Sequence, residues 1–402
     1  MTVEKGQQVL SGIRVLDLTT FEAGPTCTLF LAFLGAEVIK LEPGERGKSN
    51  RQLFCDEEDA NEDLYFVLMN LNKKSISLDF TSREGKPLFI DLVKRSDVLV
   101  ENFGAEIMQQ WGLHDDLLRE NNPRLIYASL SGYGSYGPYA PYPSMDMTAQ
   151  AMGGIMSITG NEGDPPLRCG ATIADSSAGA YLAMGISAAL YRREKTGKGM
   201  KLEVSMQDSA LNLGRSLLGT HIAFGSKAHK MGNQLKDVVP WNIYQTQEGQ
   251  YVAICIIRQR IFEKLMMLIG RADLVNEQGI HSLEKRKDNR DFLDQIVSEW
   301  VATKSKWEVM EVLCKNGIPC GAVLNSLDLG SDPHLSERQM IVEIEHDQWG
   351  RLKVLGCPIK IFDSPAKIKS SPKLGEDNRE IFINLLGLSE PDIERYMRNG
   401  VI

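Results

Sequence analysis

A chain of 402 residues is too long for one ordinary core, so two domains are expected. With 43% hydrophobic and 24% charged residues it is globular, and its net charge of −8 argues against bulk nucleic-acid binding, which needs a basic face. No apolar run approaches the length of a membrane span, and the polar start MTVEKGQQ is no signal peptide. The seven cysteines (Cys27, Cys55, Cys169, Cys255, Cys314, Cys320 and Cys357) are scattered and form no CxxC pair, the usage of reduced thiols in a cytoplasmic protein. The six histidines never pair at metal-ligand spacing, so no metal site is expected.

In chain order, residues 14–19 form a short β-prone run. Gly24-Pro25 then opens an apolar helix over 26–34, closed by Gly35. A second strand follows at 37–42, the spacing of one βαβ crossover. Thr81-Ser-Arg-Glu84 has the pattern of a capping box ahead of a helix over 86–94, and strands follow at 97–100 and 124–130. Such alternation predicts a largely parallel sheet with both faces covered, and ligands then bind beyond the carboxyl ends of its strands. A long helix is expected over about 176–193, with Leu182, Ile186, Ala189 and Leu190 on one face. Its Ala178, Gly179 and Gly185 predict close backbone packing. Residues 196–199 end it, and a strand resumes at 200–206. From about 221 to 330 the character changes to a hairpin at Glu248-Gly249 and then mostly helices, a smaller second domain. The tail is helical over 378–386 and 390–398.

Gly132-Tyr-Gly134-Ser-Tyr-Gly137 matches GxGxxG, but Pro138, Pro141 and Pro143 follow where a dinucleotide fingerprint needs a helix. A loop is expected there, not a nicotinamide site. Gly197-Lys198-Gly199 reads as a C-cap and turn. Cys169 reads as a small buried residue. Four features share a logic suited to an anionic ligand. Gly24-Pro25 starts a helix directly after the first strand and offers backbone amides to an anion. Asn72, Lys73 and Lys74 stand before a strand-like run and can hold phosphates or simply be solvated. Asn102, Phe103 and Gly104 sit at the carboxyl end of a strand, where functional loops gather. Asp175 precedes the small-residue helix, as its N-cap or as a reactive carboxylate.

Taken together the segments resemble the class III CoA-transferase family. The matching residues include 10–19 (LSGIRVLDLT), Ala23-Gly-Pro25, 34–42 (LGAEVIKLE), 72–76 (NKKSI), 100–103 (VENF), 130–134 (LSGYG), Ala174-Asp175, 196–199 (TGKG), 319–323 (PCGAV) and 374–378 (LGEDN). Each is weak alone; all of them in this order are specific. The resemblance implies an α/β fold: a Rossmann-like large domain with a parallel sheet, formed by 1–220 and a returning segment 331–402, plus a smaller α+β domain over 221–330. It also implies two chains interlocked as a homodimer. No cofactor is bound permanently; coenzyme A and acyl-CoA are substrates, and small carboxylic acids are the partners. Asp175 takes the catalytic position, and Glu22, Ala23, Asn72, Lys73, Lys74, Asn102, Phe103, Gly104, Met145 and Asp146 take positions that contact CoA. Amides opening the long helix are expected to stabilise developing oxyanions.

The departures bear on substrate. Pro43 and Gln110 stand where some formyl-CoA enzymes carry arginines for CoA, and residues 225–234 replace a run of glycines over the active site. Oxalate and formate are therefore disfavoured as substrates. The α-methylacyl-CoA racemases, on the same fold, place a histidine where Met145 stands here, so their two-base chemistry lacks a member. A non-catalytic acyl-CoA-binding protein is the rival of another class.

Overall fold

The computed structural model describes residues 7–44, 51–53, 62–276 and 279–402; Cys55 and the first six residues lie outside them. The chain divides into two compact units. One comprises residues 1–156, 168–226 and 333–402, the other 157–167 and 227–332.

The first unit is built on six strands: β1 (Arg14–Asp17), β2 (Glu37–Glu42), β3 (Lys74–Ser77), β4 (Val98–Glu101), β5 (Ile126–Ser131) and β6 (Met200–Ser205). All pair in parallel, in the order β3-β2-β1-β4-β5-β6. Successive side chains on a strand point to opposite faces, and the core divides accordingly. Val15, Val98 and Val100 pack on one side with Cys27, Leu31, Leu182 and Ile186. Their neighbours Leu16 and Leu99 pack on the other with Phe89, Leu92, Ile381 and Phe382. Both faces are covered, as the strand–helix alternation predicts, and residues near the C-terminus supply part of the second cover.

The helices that matter below are α1 (Ala23–Phe33), α2 (Leu64–Met69), α3 (Gly85–Lys94), α4 (Ala105–Gln110), α5 (Asp115–Asn121), α6 (Asp146–Met152), α7 (Ile155–Ile158) and α8 (Ile173–Thr196). Helix α8 ends on Gly197 at φ 70°, a left-handed cap that glycine adopts without a Cβ penalty. The expected capping box before α3 does not form: the Gly85 N–H donates to the Ser82 hydroxyl at 3.0 Å, and Thr81 instead bonds Asp79. The segment 132–144 is irregular up to α6, so GxGxxG opens no helix. In the tail, Glu380–Leu385 is a π-helical turn and Glu390–Arg398 an α-helix. A hairpin absent from the sequence reading, β10 (Ile341–His346) with β11 (Gly350–Leu355), also belongs to this unit.

The second unit holds the antiparallel strands β7 (Trp241–Gln245), β8 (Tyr251–Cys255) and β9 (Cys320–Ala322). Its hairpin turns at Gly249, φ 74°, as expected. Helices pack on the sheet through Phe262, Leu265, Val297 and Leu313. Among the described residues no helix is long and apolar enough to cross a membrane.

Candidate active site

Helix α8 begins three residues earlier than its apolar pattern suggests, and the reason is Asp146. This buried carboxylate, at the start of α6, accepts the Ala174 N–H at 2.9 Å and the Asp175 N–H at 3.3 Å through Oδ1. Its Oδ2 accepts the Gln150 side-chain amide at 2.6 Å. The N-cap position is Thr172, which makes no side-chain cap bond, and Asp175 lies inside the first turn. Asp175 is therefore not the cap, which corrects one of the two roles open to it. The same bonds correct the oxyanion expectation, because the Ala174 and Asp175 amides already serve Asp146 and the Ser176 N–H donates to the Thr172 carbonyl at 3.0 Å.

Glu22 reaches this turn from the start of α1. Its Oε1 accepts hydrogen bonds from the Thr172 hydroxyl and, at 3.1 Å, from the Ser176 hydroxyl. The Tyr65 hydroxyl, on α2, donates to Glu22 as well. Close approach of α1 and α8 makes this possible. A Cβ on Gly179, one turn beyond Asp175, would stand 2.5 Å from the Ala23 carbonyl oxygen and 3.0 Å from the Cys27 nitrogen. Only glycine fits there. The close packing expected from the small residues is present.

Asp175 is thus half-buried beside two other carboxylates, and among the described residues no hydrogen bond occupies its side chain. Burial first, then the charges of Asp146 and Glu22, push its carboxyl up to about 7. Burial, with Glu22, Asp175 and Asp63, also raises the Tyr65 hydroxyl, which stays protonated and donates.

A cleft of about 220 Å³ opens beyond the carboxyl ends of β1 to β4, lined among others by Thr20, Lys40, Pro43, Phe80, Phe103 and Trp111. The strand order reverses between β1 and β4, and ligands of such sheets bind at that point. Asn102 ties the two loops there: it donates to the Thr20 carbonyl at 2.8 Å and accepts the Thr20 N–H at 2.9 Å. Phe103 meets Trp111 edge-on with centroids 4.9 Å apart. Gly104 turns the chain at φ 87°, and the Phe103 and Gly104 N–H groups donate to Glu101. Chain continuity joins cleft and carboxylates, since Thr20 lines the one and Glu22 belongs to the other.

The structure does not bring Asn72, Lys73 and Lys74 to this cleft. Asn72, at φ 66°, bonds the Lys367 carbonyl and the Lys369 N–H. The side chains of Lys73 and Asp17 are both 0% exposed and pair at 2.9 Å, and Lys73 also bonds Asn70. Burial alone would raise the Asp17 carboxyl, but Lys73, Lys40 and the hydroxyls of Thr19 and Thr28 together hold it well below the usual range. Lys74 opens β3, at the amino edge of the sheet, and pairs with Glu37 and Glu380. These bonds commit the three side chains to partners within the protein, away from this cleft. Ala23 is buried against α8, and Met145 is 60% exposed at the N-cap of α6. The Cys169 N–H donates to Gln150. Tyr65, Gln150, Thr172 and Ser176 were not among the sequence-derived candidates, since no local pattern distinguishes them.

A sequence model of CoA-transferase family III matches residues 10–378. A formyl-CoA:oxalate CoA-transferase of Streptomyces avermitilis is 39% identical over 410 residues, covering 98% of this chain and 100% of that protein. One from Rhodopseudomonas palustris is 35% identical over 417 residues, covering 98% and 97%. Among solved structures, a CAIB/BAIF family protein from Brucella suis superposes with a TM-score of 0.83 at 32% identity, covering 94% of this chain and 100% of that one. A hypothetical protein from Mycobacterium tuberculosis gives 0.80 at 29% identity, covering 94% and 99%. With fold, order of motifs and full-length similarity in agreement, this chain belongs to CoA-transferase family III.

Proposed function

We propose that this CoA-transferase moves CoA from an acyl-CoA thioester to a carboxylic acid acceptor, with Asp175 as the nucleophile. The observation that carries the reading is the Asp175 carboxylate: half-buried, without a hydrogen bond among the described residues, and made more basic by its surroundings. Higher basicity strengthens a carboxylate as a nucleophile once it is ionised. An Asp175 oxygen attacks the thioester carbonyl; a C–O bond forms, the C–S bond breaks, and CoA leaves as thiolate from a mixed anhydride. The thiolate then attacks the aspartyl carbonyl, releasing the first acid as its carboxylate and leaving an aspartyl-CoA thioester. The incoming acid runs the two steps in reverse, so the free energy of the thioester is retained throughout.

The carboxyl-end cleft suits the nucleotide end of CoA, with Phe103 and Trp111 as an apolar wall and Asn102 and Gly104 shaping the rim. Glu22 and Asp146 frame the reacting end. Racemase chemistry gains no support, because Met145 offers no base and both Asp146 oxygens are hydrogen-bonded. The interlocked homodimer is part of the same proposal and rests on family resemblance.

Asp175→Asn is the test. Asn preserves size but is a far poorer nucleophile, so exchange read by mass spectrometry should fall by several orders of magnitude, with acyl-CoA binding retained. Hydroxylamine or borohydride added with acyl-CoA should modify this carboxylate in the wild type only. Near-normal turnover by folded Asp175→Asn refutes the reading, and so does a wild type that binds acyl-CoA without exchange.

A further inference from the structure

We propose that Glu22 sets the class of acid this site accepts: monocarboxylates enter, and acids with a second carboxylate beside the reacting one are turned away. The inference rests on Asp175 as the reacting carboxylate and concerns what stands next to it.

Three hydroxyls, from Thr172, Ser176 and Tyr65, hold the Glu22 carboxylate. Two of them belong to the first turn of α8, which also carries Asp175, so Glu22 is fixed to the turn that does the chemistry. The same bonds occupy the donors that would otherwise receive an anionic group. Asp146, the other neighbouring carboxylate, is offset by two backbone amides and the Gln150 amide. Among the described residues Glu22 is bound by neutral hydroxyls, so its charge is the less compensated of the two.

During transfer the acid's reacting carboxylate loses its charge as it is acylated. A second carboxylate whose carbon is one to three bonds from the reacting one keeps its charge and must sit in the same partly desolvated space, facing Glu22. Like charges at such separations in a reduced dielectric repel strongly. A hydroxyl or ammonium substituent in that position would instead find an acceptor. Dicarboxylates such as oxalate or succinate are therefore disfavoured here, whatever the relatives' substrates are.

The test compares matched acceptors with one acyl-CoA donor: butyrate against succinate, and acetate against oxalate. The wild type should favour the monocarboxylate in kcat/KM by about tenfold or more, and Glu22→Gln, which keeps an acceptor oxygen for the hydroxyls, should narrow that ratio by about tenfold. Tyr65→Phe removes a donor and leaves the Glu22 charge less offset, so the ratio should widen. Each ratio is internal to one enzyme, so a general loss of activity cancels. A wild type that takes succinate or oxalate as readily as the matched monoacid overturns the proposal, and so does a ratio unmoved in Glu22→Gln. Failure of the nucleophile reading looks different: Asp175→Asn would then turn over every acid.

Discussion

At the scale of the residue, three carboxylates that meet at the first turn of α8 give Asp175 a pH signature. The nucleophile must be ionised, and its carboxyl is raised from 3.8 to about 7. We expect kcat/KM to climb with pH through about 7, and Glu22→Gln or Asp146→Asn to move that limb to lower pH by removing a like charge. A pH–rate profile of the three proteins checks this. Stability carries the same information with a definite sign. Between pH 3.8 and about 7 the folded chain holds a proton at Asp175 that the unfolded chain gives up, so stability falls as pH rises across that window. Asp175→Asn should then be more stable than wild type at pH 8 by about 1–2 kcal/mol after allowance for solvent screening, with the gain vanishing near pH 4. Denaturant titrations at the two pH values read it directly. Lys73 behaves in the opposite way. Replacing it by Met strands the buried Asp17 charge, and a loss of about 3–5 kcal/mol is expected, seen in the unfolding midpoint before any change in KM.

At the scale of the element, the seam between α1 and α8 decides whether the site assembles. Gly179 and Gly185 lie on one helix and differ in what a methyl group would meet. At Gly179 it meets backbone atoms of α1, which cannot yield; at Gly185 it meets a terminal methyl of Leu202 at 2.7 Å, which can turn aside. Alanine in a helix interior otherwise stabilises by about 0.5–1 kcal/mol relative to glycine. We therefore expect Gly185→Ala to be near neutral and Gly179→Ala to cost about 1–3 kcal/mol through overpacking. Activity should fall further in Gly179→Ala than the stability loss explains, since Glu22 is carried away from Asp175. Thermal unfolding beside exchange rates distinguishes the pair.

At the scale of the whole molecule, the proposed interlocked homodimer makes subunit separation require unfolding. Dilution well below micromolar should leave no folded monomer in analytical ultracentrifugation, and denaturation midpoints should depend on protein concentration. A compact native monomer would refute the assembly.

Local pattern was enough to read the strands of the parallel sheet, the helices over 26–34, 86–94 and 176–193, the hairpin at Gly249 and the irregular stretch after Gly132, because hydrophobic period and turn chemistry act over a few residues. Ordered motifs identified the family and singled out Asp175. The surroundings of that residue were not legible, for they depend on contacts between segments far apart in the chain. Lys73 finds Asp17 across 56 positions, Ala174 finds Asp146 across 28, and Thr172 finds Glu22 across 150. Sequence spacing shows that a lysine follows an asparagine, but not whether its ammonium meets a phosphate or a buried carboxylate. The tertiary structure decided that Lys73 is interior, that Asp146 rather than Asp175 accepts the first amides of α8, and that carboxylates from three helices meet at that turn. Charge compensation is a property of what surrounds a group in space, and only the folded chain determines that.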